Sequence, residues 1–265
     1  MRSVVPRLIT LDVTGTLLKP NVAHRYSEAA LEHGLPKLDP KITMDSFRRS
    51  YKRLQHEHPI FGRHSGLGWR NWWRLLVHDV ITDQCPSASP DKLNKIADKL
   101  IECYSTNCGW SYVPGALELV QNLKCHSDLS LGVISNFDER MESLLTSMKL
   151  RHYFNFVITA YEIGCEKPDP AIFQEALRLA SHSQGTPIRP SEALHVGDSV
   201  EADYLGAQAV GWDALILVHQ NHKIPPEMPS ILPDCCDEKH VITSLHHLRK
   251  HLDSLMKQTY GSNIS

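Results

Sequence analysis

Four polar motifs along the chain contain residues suited to phosphoryl chemistry. They are Asp12-Val13-Thr14-Gly15-Thr16, Ser135-Asn136, Glu166-Lys167-Pro168-Asp169-Pro170 and His195-Val196-Gly197-Asp198-Ser199, with Asp203 shortly after the last. A carboxylate such as Asp12 can attack phosphorus and form an aspartyl-phosphate. A lysine such as Lys167 neutralises charge on the nucleophile and on the phosphoryl group. Asp198 can join Asp12 as an Mg²⁺ ligand, and the hydroxyl and amide of Ser135 and Asn136 suit a phosphate oxygen.

Short apolar runs precede three of these motifs, and amphipathic patterns follow several of the runs. Strands are predicted over Leu8–Leu11, Leu131–Ile134, Phe156–Thr159, Ala193–Val196 and Ala214–Val218, and helices over Asp138–Met148, Pro170–Ala180 and Glu201–Val210. Nearly continuous apolar strands that alternate with helices predict a parallel α/β sheet with helices on both faces. Since ligands bind at the carboxyl ends of such strands, we expect the motifs to share one site.

The stretch from about Lys19 to Gly109 interrupts the alternation of strands and helices. It has helical periodicity over Tyr26–His33, Thr43–His58, Trp69–Val80 and Pro90–Thr106, and no strand comparable to the others. We therefore predict an all-helical insertion over residues 19–109, with residues 1–18 and 110–265 forming the sheet domain. A proline-containing loop over Asn221–Glu238 leads to a last predicted helix, Ser244–Gln258.

The composition excludes several classes of protein. Twenty-eight Lys and Arg against 30 Asp and Glu give a net charge of −2, which argues against a nucleic-acid-binding protein. No apolar run approaches the ~20 residues needed to cross a membrane. The seven cysteines form no CxxC motif, so we expect neither a zinc site nor a redox motif but reduced thiols. With no targeting signal, we expect the cytoplasm or the nucleus.

With the four motifs in this order, the sequence resembles the haloacid dehalogenase superfamily of hydrolases over essentially its full length. The resemblance implies a Rossmann-like core, a helical cap inserted after the first strand, and Mg²⁺-dependent hydrolysis through an aspartyl intermediate. It also implies roles for individual residues. Asp12 would be nucleophile and metal ligand, Thr14 a metal ligand through its carbonyl, Thr16 and Ser135 phosphate ligands, Lys167 the charge stabiliser, Asp198 a metal ligand, and Asp203 a support for the lysine or the metal shell.

The sequence departs from this pattern at one position. Phosphatases of the superfamily have a second aspartate two residues after the nucleophile, as general acid and then base, and this chain has Thr14 there. A threonine hydroxyl is too weak an acid to protonate a leaving group near pH 7, and general acid–base catalysis contributes about 10²–10⁴-fold. The sequence Asp-Val-Thr-Gly-Thr looks like the loop of P-type ATPases in the same superfamily, where an acyl-phosphate forms without that aspartate.

Three functions are compatible with this departure. The first is a phosphohydrolase that acts on small phosphorylated metabolites with good leaving groups, such as acyl or aryl phosphates. The second is a metal-independent dehalogenase-type hydrolase, in which the aspartate attacks carbon, although that branch usually has Tyr in place of Thr14. The third is a non-catalytic descendant that binds a phosphometabolite or a protein partner.

A glycine-containing loop of the insertion, Phe61–Trp73, offers candidate substrate contacts. Arg63 and His64 are placed to meet an anionic substrate, and His64 is a candidate for the proton that Thr14 cannot deliver. Alternatively Arg63 is solvated, and Trp69 and Trp73, four residues apart, belong to the core of the insertion.

Overall fold

A six-stranded parallel sheet forms the centre of the protein. The structure is a computed structural model that describes residues 5–218 and 236–260, with side chains described as far as residue 253. The strands are β1 (Leu8–Leu11), β2 (Leu18–Pro20), β3 (Trp110–Tyr112), β4 (Ser130–Ser135), β5 (Phe156–Thr159), β6 (Ala193–Gly197), β7 (Asp213–Leu217) and β8 (Val241–Ile242). Six of these strands form the parallel sheet, in the order β5-β4-β1-β6-β7-β8, and β2 and β3 form a separate pair. The five predicted strands are confirmed to within one residue at each end.

Helices surround the sheet and fill the segment between β2 and β3. They are α1 (Val22–Glu32), α2 (Pro40–Glu57), α3 (Trp69–Thr82), α4 (Pro90–Cys103), α5 (Ala116–Lys124), α6 (Met141–Ser147), α7 (Ala160–Ile163), α8 (Pro170–Gln184), α9 (Gly206–Ala209) and α10 (Leu245–Tyr260). None of the helices within the described ranges has the length and apolar composition needed to cross a bilayer.

Two hydrophobic clusters cover opposite faces of the sheet. Because side chains alternate along a strand, Ile9 and Leu11 join one cluster with α5, α6 and α10, whereas Leu8 joins the other with α8 and α9. Both faces of β1 are therefore buried, which explains its nearly continuous apolar sequence, broken only by Thr10. The predicted α/β fold, a Rossmann-like parallel sheet covered on both faces, is confirmed.

Helices α1 to α4 form a unit with a hydrophobic core of their own. Its centre contains Tyr26, Leu76 and Trp72, and the cluster includes no residue of the sheet. We call these four helices, residues 22–103, the helical unit. Strands β2 and β3 pair antiparallel, with Pro20 opposite Trp110, so the chain enters and leaves the helical unit side by side. The limits of 19–109 for a cap stay a prediction.

Several predicted elements differ from the structure. The helix predicted from Asp138 begins at Met141, because Asp138 is buried and bonds to the Arg140 side chain instead of starting a helix. The helix predicted over Glu201–Val210 is a π-helix, Val200–Leu205, followed by the short α9. Strands β2, β3 and β8 and helix α5 are absent from the prediction. Most of the predicted loop over Asn221–Glu238 lies outside the described residues.

The tight approach of β4 to β5 gives a test of the packing. Gly132 faces Phe156 across the two strands, and a Cβ at Gly132 would lie 2.3 Å from Phe156 Cζ. We expect Gly132→Ala to lower the free energy of unfolding by about 1–3 kcal/mol through overpacking. Urea unfolding measures this, with Phe156→Leu as the single control and the double variant expected to recover part of the loss. A Gly132→Ala protein as stable as wild type would contradict the packing.

Candidate functional site

The predicted site residues meet in one cleft at the carboxyl edge of the sheet. Asp12 follows β1, Ser135 ends β4, and Asp198 follows β6. The cleft has a volume of about 660 Å³ and lies between this edge and the helical unit. Seven of the residues singled out from the sequence line it, namely Asp12, Thr14, Ser135, Asn136, Lys167, Asp198 and Asp203.

The ammonium group of Lys167 is the centre of the polar end of this cleft. It is 3% exposed and donates to Asp12 Oδ1 at 2.8 Å, to Asp203 Oδ1 at 2.6 Å and to the Ile134 carbonyl at 2.8 Å. Burial would lower the pKa of Lys167, but the charges of Asp12 and Asp203 outweigh burial and raise it above its ordinary value. The lysine is thus a fixed positive charge beside the Asp12 carboxylate.

Asn136 holds the main chain of this lysine. Its Nδ2 donates to the Lys167 carbonyl at 2.9 Å, and its Oδ1 accepts from the Lys167 amide at 2.8 Å. The Lys167-Pro168 peptide bond is cis. Asn136 therefore ties the lysine loop to the end of β4, while its predicted contact with phosphate stays a prediction.

Asp203 is fixed by donors on three sides. Its Oδ1 also lies 3.0 Å from His195 Nε2, and its Oδ2 accepts from the Ser199 amide at 2.9 Å. Burial raises the pKa of Asp203, but the charge of Lys167 and the hydrogen bond from His195 hold it well below its ordinary value. Since a carboxylate only accepts, His195 Nε2 carries the proton, and its Nδ1 accepts from the Thr10 hydroxyl at 2.8 Å. This bridge between β6 and β1 was not predicted from the sequence.

Two other aspartates of the site, Asp12 and Asp198, have raised pKa values where Asp203 has a lowered one. Burial raises the pKa of Asp12 to about 6 despite the charge of Lys167. Burial of its carboxylate, followed by the charges of Asp12 and Asp203, raises the pKa of Asp198 to about 7. Gly15 makes this crowding possible, since its φ is +89° and a Cβ there would lie 2.0 Å from Asp198 Oδ2. The site thus contains two carboxylates that gain from a nearby cation.

Three other predicted residues lie away from the lining of the cleft. Thr16 is fully buried, and among the described residues its hydroxyl has no hydrogen-bond partner. Arg63 lies over the Tyr161 ring, 5.8 Å from its centre, and His64 Nε2 is 2.9 Å from the Gly164 carbonyl. The loop with Arg63 and His64 therefore docks the helical unit onto the segment around α7, and the structure does not bring either side chain into the cleft.

Aromatic residues of the helical unit complete the cleft. Trp73 lines it and donates from Nε1 to Asp138 Oδ2 at 2.6 Å, and Trp69 donates to Glu139 at 2.8 Å. Both tryptophans pack against the core of the helical unit, as expected. Each is also half-buried and uses its indole N–H to reach the loop after β4, which was not predicted. Helical periodicity identifies the face of α3 that carries them but not the partner of that face.

The class of the protein is defined by three features. They are a Rossmann-like α/β sheet, an aspartate and a lysine paired where its strands end, and a helical insertion after its first strand. The family model of haloacid dehalogenase-like hydrolases matches residues 6–211. The chain belongs to this family of hydrolases.

Curated relatives match almost the whole chain. It is 36% identical to mouse haloacid dehalogenase-like hydrolase domain-containing protein 3 over 253 residues, which cover 94% of each protein. It is 34% identical to the Rhythmically expressed gene 2 protein of Drosophila melanogaster, with 93% of this chain and 95% of that protein covered.

Solved structures also match over most of their length. A 2-haloacid dehalogenase from Pseudomonas syringae is 27% identical, with a TM-score of 0.60 and coverage of 94% of this chain and 99% of that one. The HAD-hydrolase YfnB from Bacillus subtilis, solved with bound magnesium, is 18% identical with a TM-score of 0.65, covers the same shares of the two chains, and supports the fold alone.

The buried lysine gives a first test of the site. We expect Lys167→Met to lower the free energy of unfolding by about 3–5 kcal/mol, because it leaves Asp12 and Asp203 side by side without their cation. Adding Asp203→Asn should recover part of this loss. Urea unfolding checks both, with Lys124→Met, an exposed lysine of α5, as the matched control. Equal stability of wild type and Lys167→Met would show that the buried pairing is absent.

The raised pKa of Asp198 gives a test by pH. Native protein holds the Asp198 proton more tightly than unfolded chain, so ionisation costs native stability as pH rises from about 4 to about 7. Asn cannot ionise, and we expect Asp198→Asn in chelator to become more stable than wild type by about 1 kcal/mol across this window, an amount reduced by solvent screening.

Thermal unfolding at pH 5 and pH 8 measures the difference between Asp198→Asn and wild type. Glu201→Gln, an exposed carboxylate three residues further on, is the control and should show no such trend. A difference that stays constant with pH would contradict the crowding of the three carboxylates.

Proposed function

We propose that the protein is an Mg²⁺-dependent phosphohydrolase that forms an aspartyl-phosphate on Asp12 and acts on small phosphorylated metabolites with good leaving groups. The observation that carries this proposal is the contact of 2.8 Å between Asp12 Oδ1 and Lys167 Nζ at the polar end of the cleft. A nucleophilic carboxylate needs a neighbouring positive charge that persists when a phosphoryl group with its own negative charge arrives. The Lys167 ammonium is such a charge.

The residues present fit a magnesium ion. The carboxylates of Asp12 and Asp198 and the carbonyl of Thr14 are oxygen donors, which Mg²⁺ prefers, and one or two carboxylates are its usual protein ligands. Burial raises the pKa of Asp12 to about 6 and of Asp198 to about 7, and a nearby cation would favour the ionised form of both. When bound, the ion would supply positive charge to the phosphate oxygens.

The chain's own groups account for the two displacement steps. An Asp12 carboxylate oxygen attacks phosphorus, the bond from phosphorus to the leaving oxygen breaks, and that oxygen departs with the electron pair. Water then attacks phosphorus, its proton passes to solvent, and the bond to Asp12 breaks to release phosphate and regenerate the carboxylate. Lys167 stabilises the carboxylate before attack and the phosphoryl oxygens afterwards, and Asp203 holds the lysine in place.

Thr14 sets the range of leaving groups. It is exposed and lines the cleft, in the position where a general acid would donate a proton to the departing oxygen. Its hydroxyl does not ionise near pH 7, so the departing oxygen carries away negative charge. Acyl and aryl phosphates, whose leaving groups are stable anions, suit this site, and sugar phosphates with alkoxide leaving groups do not.

The family also supports a second candidate function. An aspartate nucleophile can displace halide from carbon, and the 2-haloacid dehalogenase from Pseudomonas syringae is similar to this chain along nearly its whole length. A dehalogenase-type reaction would need no metal ion, so chelator distinguishes the two functions.

Hydrolysis of acetyl phosphate tests the proposal. We expect turnover that requires Mg²⁺, falls below about 1% of wild type in Asp12→Asn, and is unaffected in Asp91→Asn, a surface aspartate of the helical unit. Thr14→Asp should extend activity to alkyl phosphates by about 10²-fold or more, because it supplies a general acid.

Other outcomes identify the alternatives. Release of halide from 2-chloropropionate in the presence of chelator would favour the dehalogenase-type reaction. No turnover in wild type, with activity only in Thr14→Asp, would contradict the proposal and identify a site that binds phosphorylated molecules without hydrolysing them.

A further inference from the structure

We propose that the cleft selects phosphorylated molecules in which the group attached to the phosphate or acyl phosphate is an aromatic ring. The inference deepens the proposed function by naming the class of its substrate, and it rests on that function only for the hydrolysis step. It is carried by the aromatic side chains that the helical unit and the loops around it contribute to the lining of the cleft.

Seven aromatic residues line the cleft, namely Tyr26, Phe47, Tyr51, Trp73, Tyr104, Trp110 and Phe137. They come from α1, α2, α3, the segment after α4, β3 and the loop after β4. With Phe61, they form an unbroken series of neighbouring rings whose successive centroids are 5.8–6.3 Å apart. We call this series the aromatic wall.

Part of the aromatic wall is open to a ligand. Phe47, Tyr51, Trp73 and Tyr104 are only half-buried, although each lines the cleft and packs against another ring. Such exposed faces, gathered within one concave site, are typical of surfaces that a ligand covers. Aromatic pairs prefer stacked or edge-to-face contacts, which add free energy of binding beyond that of the buried area. A ligand ring therefore binds more tightly when it contacts these side chains.

One charged residue that lines the cleft among these rings, Arg140, is already paired. Arg140 is 5% exposed, donates to both oxygens of Asp138, and lies 4.9 Å from the centre of the Trp73 ring and 5.2 Å from that of Phe137. The Arg140 guanidinium is therefore bonded to Asp138 and packed among the rings of the wall, and it is not a hydrogen-bond donor for a sugar hydroxyl.

The size and chemistry of the cleft agree with a ligand of this kind. About 660 Å³ accommodates a phosphate together with one or two rings, since ligand pockets span about 300–1,000 Å³. A phenolate spreads its negative charge over the ring, and a benzoate spreads it over two oxygens. Both leave without a proton, as the site with Thr14 requires. Aromatic phosphates and acyl phosphates therefore suit both the polar end of the cleft and the aromatic wall.

Binding of simple phosphonates tests the inference independently of turnover. We expect phenylphosphonate, in the presence of Mg²⁺, to bind about 10- to 100-fold more tightly than methylphosphonate, measured by calorimetry. Cyclohexylphosphonate has a ring of similar size without π electrons, and we expect it to bind at least about threefold more weakly than phenylphosphonate. Equal affinities for phenyl and methyl compounds, or for phenyl and cyclohexyl compounds, would overturn the proposal.

Substitutions in the wall locate the preference. Phe47→Leu and Tyr51→Leu should each reduce the ratio of phenyl- to methylphosphonate affinity about three- to tenfold. Tyr153→Leu, a half-buried tyrosine outside the cleft, is the matched control and should keep the wild-type ratio. A ratio that Phe47→Leu and Tyr51→Leu both leave intact would place the ring elsewhere and overturn the inference.

Hydrolysis of benzoyl phosphate and acetyl phosphate separates the inference from the proposed function. These compounds share the reacting acyl phosphate and differ in the ring, so we expect kcat/KM to favour benzoyl phosphate about 10-fold or more. A phenyl preference in binding without any hydrolysis would support the aromatic site and contradict the phosphohydrolase. Hydrolysis with equal kcat/KM for the two compounds would support the phosphohydrolase and contradict the aromatic site.

Discussion

A positive charge buried between two carboxylates is the interaction on which the site depends. An ammonium group removed from water is stable only when it is paired and fully hydrogen-bonded. Lys167 meets this condition with Asp12, Asp203 and one carbonyl of β4. Its partners follow or belong to β1, β4 and the π-helix after β6, so the parallel order of the three central strands is required to bring them together.

The same lysine divides the carboxylates into two kinds. Asp203 has Lys167, His195 and the Ser199 amide as donors, and its lowered pKa keeps it ionised as a fixed support. Asp12 shares the lysine but retains a raised pKa, as does Asp198. The hydrogen bonds of the site therefore hold Asp203 and Lys167 in place, whereas burial leaves Asp12 and Asp198 with raised pKa values.

The sequence was sufficient for five of the six strands of the sheet and for the polar end of the cleft, because both depend on local signals. Apolar runs with polar residues at their ends predicted the five central strands and brought Asp12, Lys167 and Asp198 to one edge. It was insufficient where a residue's role depends on a distant partner. His195 was treated as part of a motif, and its bridge from Asp203 to Thr10 follows only from the pairing of β1 with β6. Three-residue strands such as β2 carry too little periodicity to be predicted.

The aromatic wall shows the same limit and also gives Thr14 a physical context. Helical periodicity marks Trp73 as apolar, but only the packing of α3 against the loop after β4 shows that its indole bonds Asp138 and that its ring lines the cleft. A general acid at position 14 speeds the first displacement only if the leaving group needs a proton. A wall that admits groups whose anions are stable removes that need, so the threonine at one end of the cleft and the rings at the other favour the same kind of molecule.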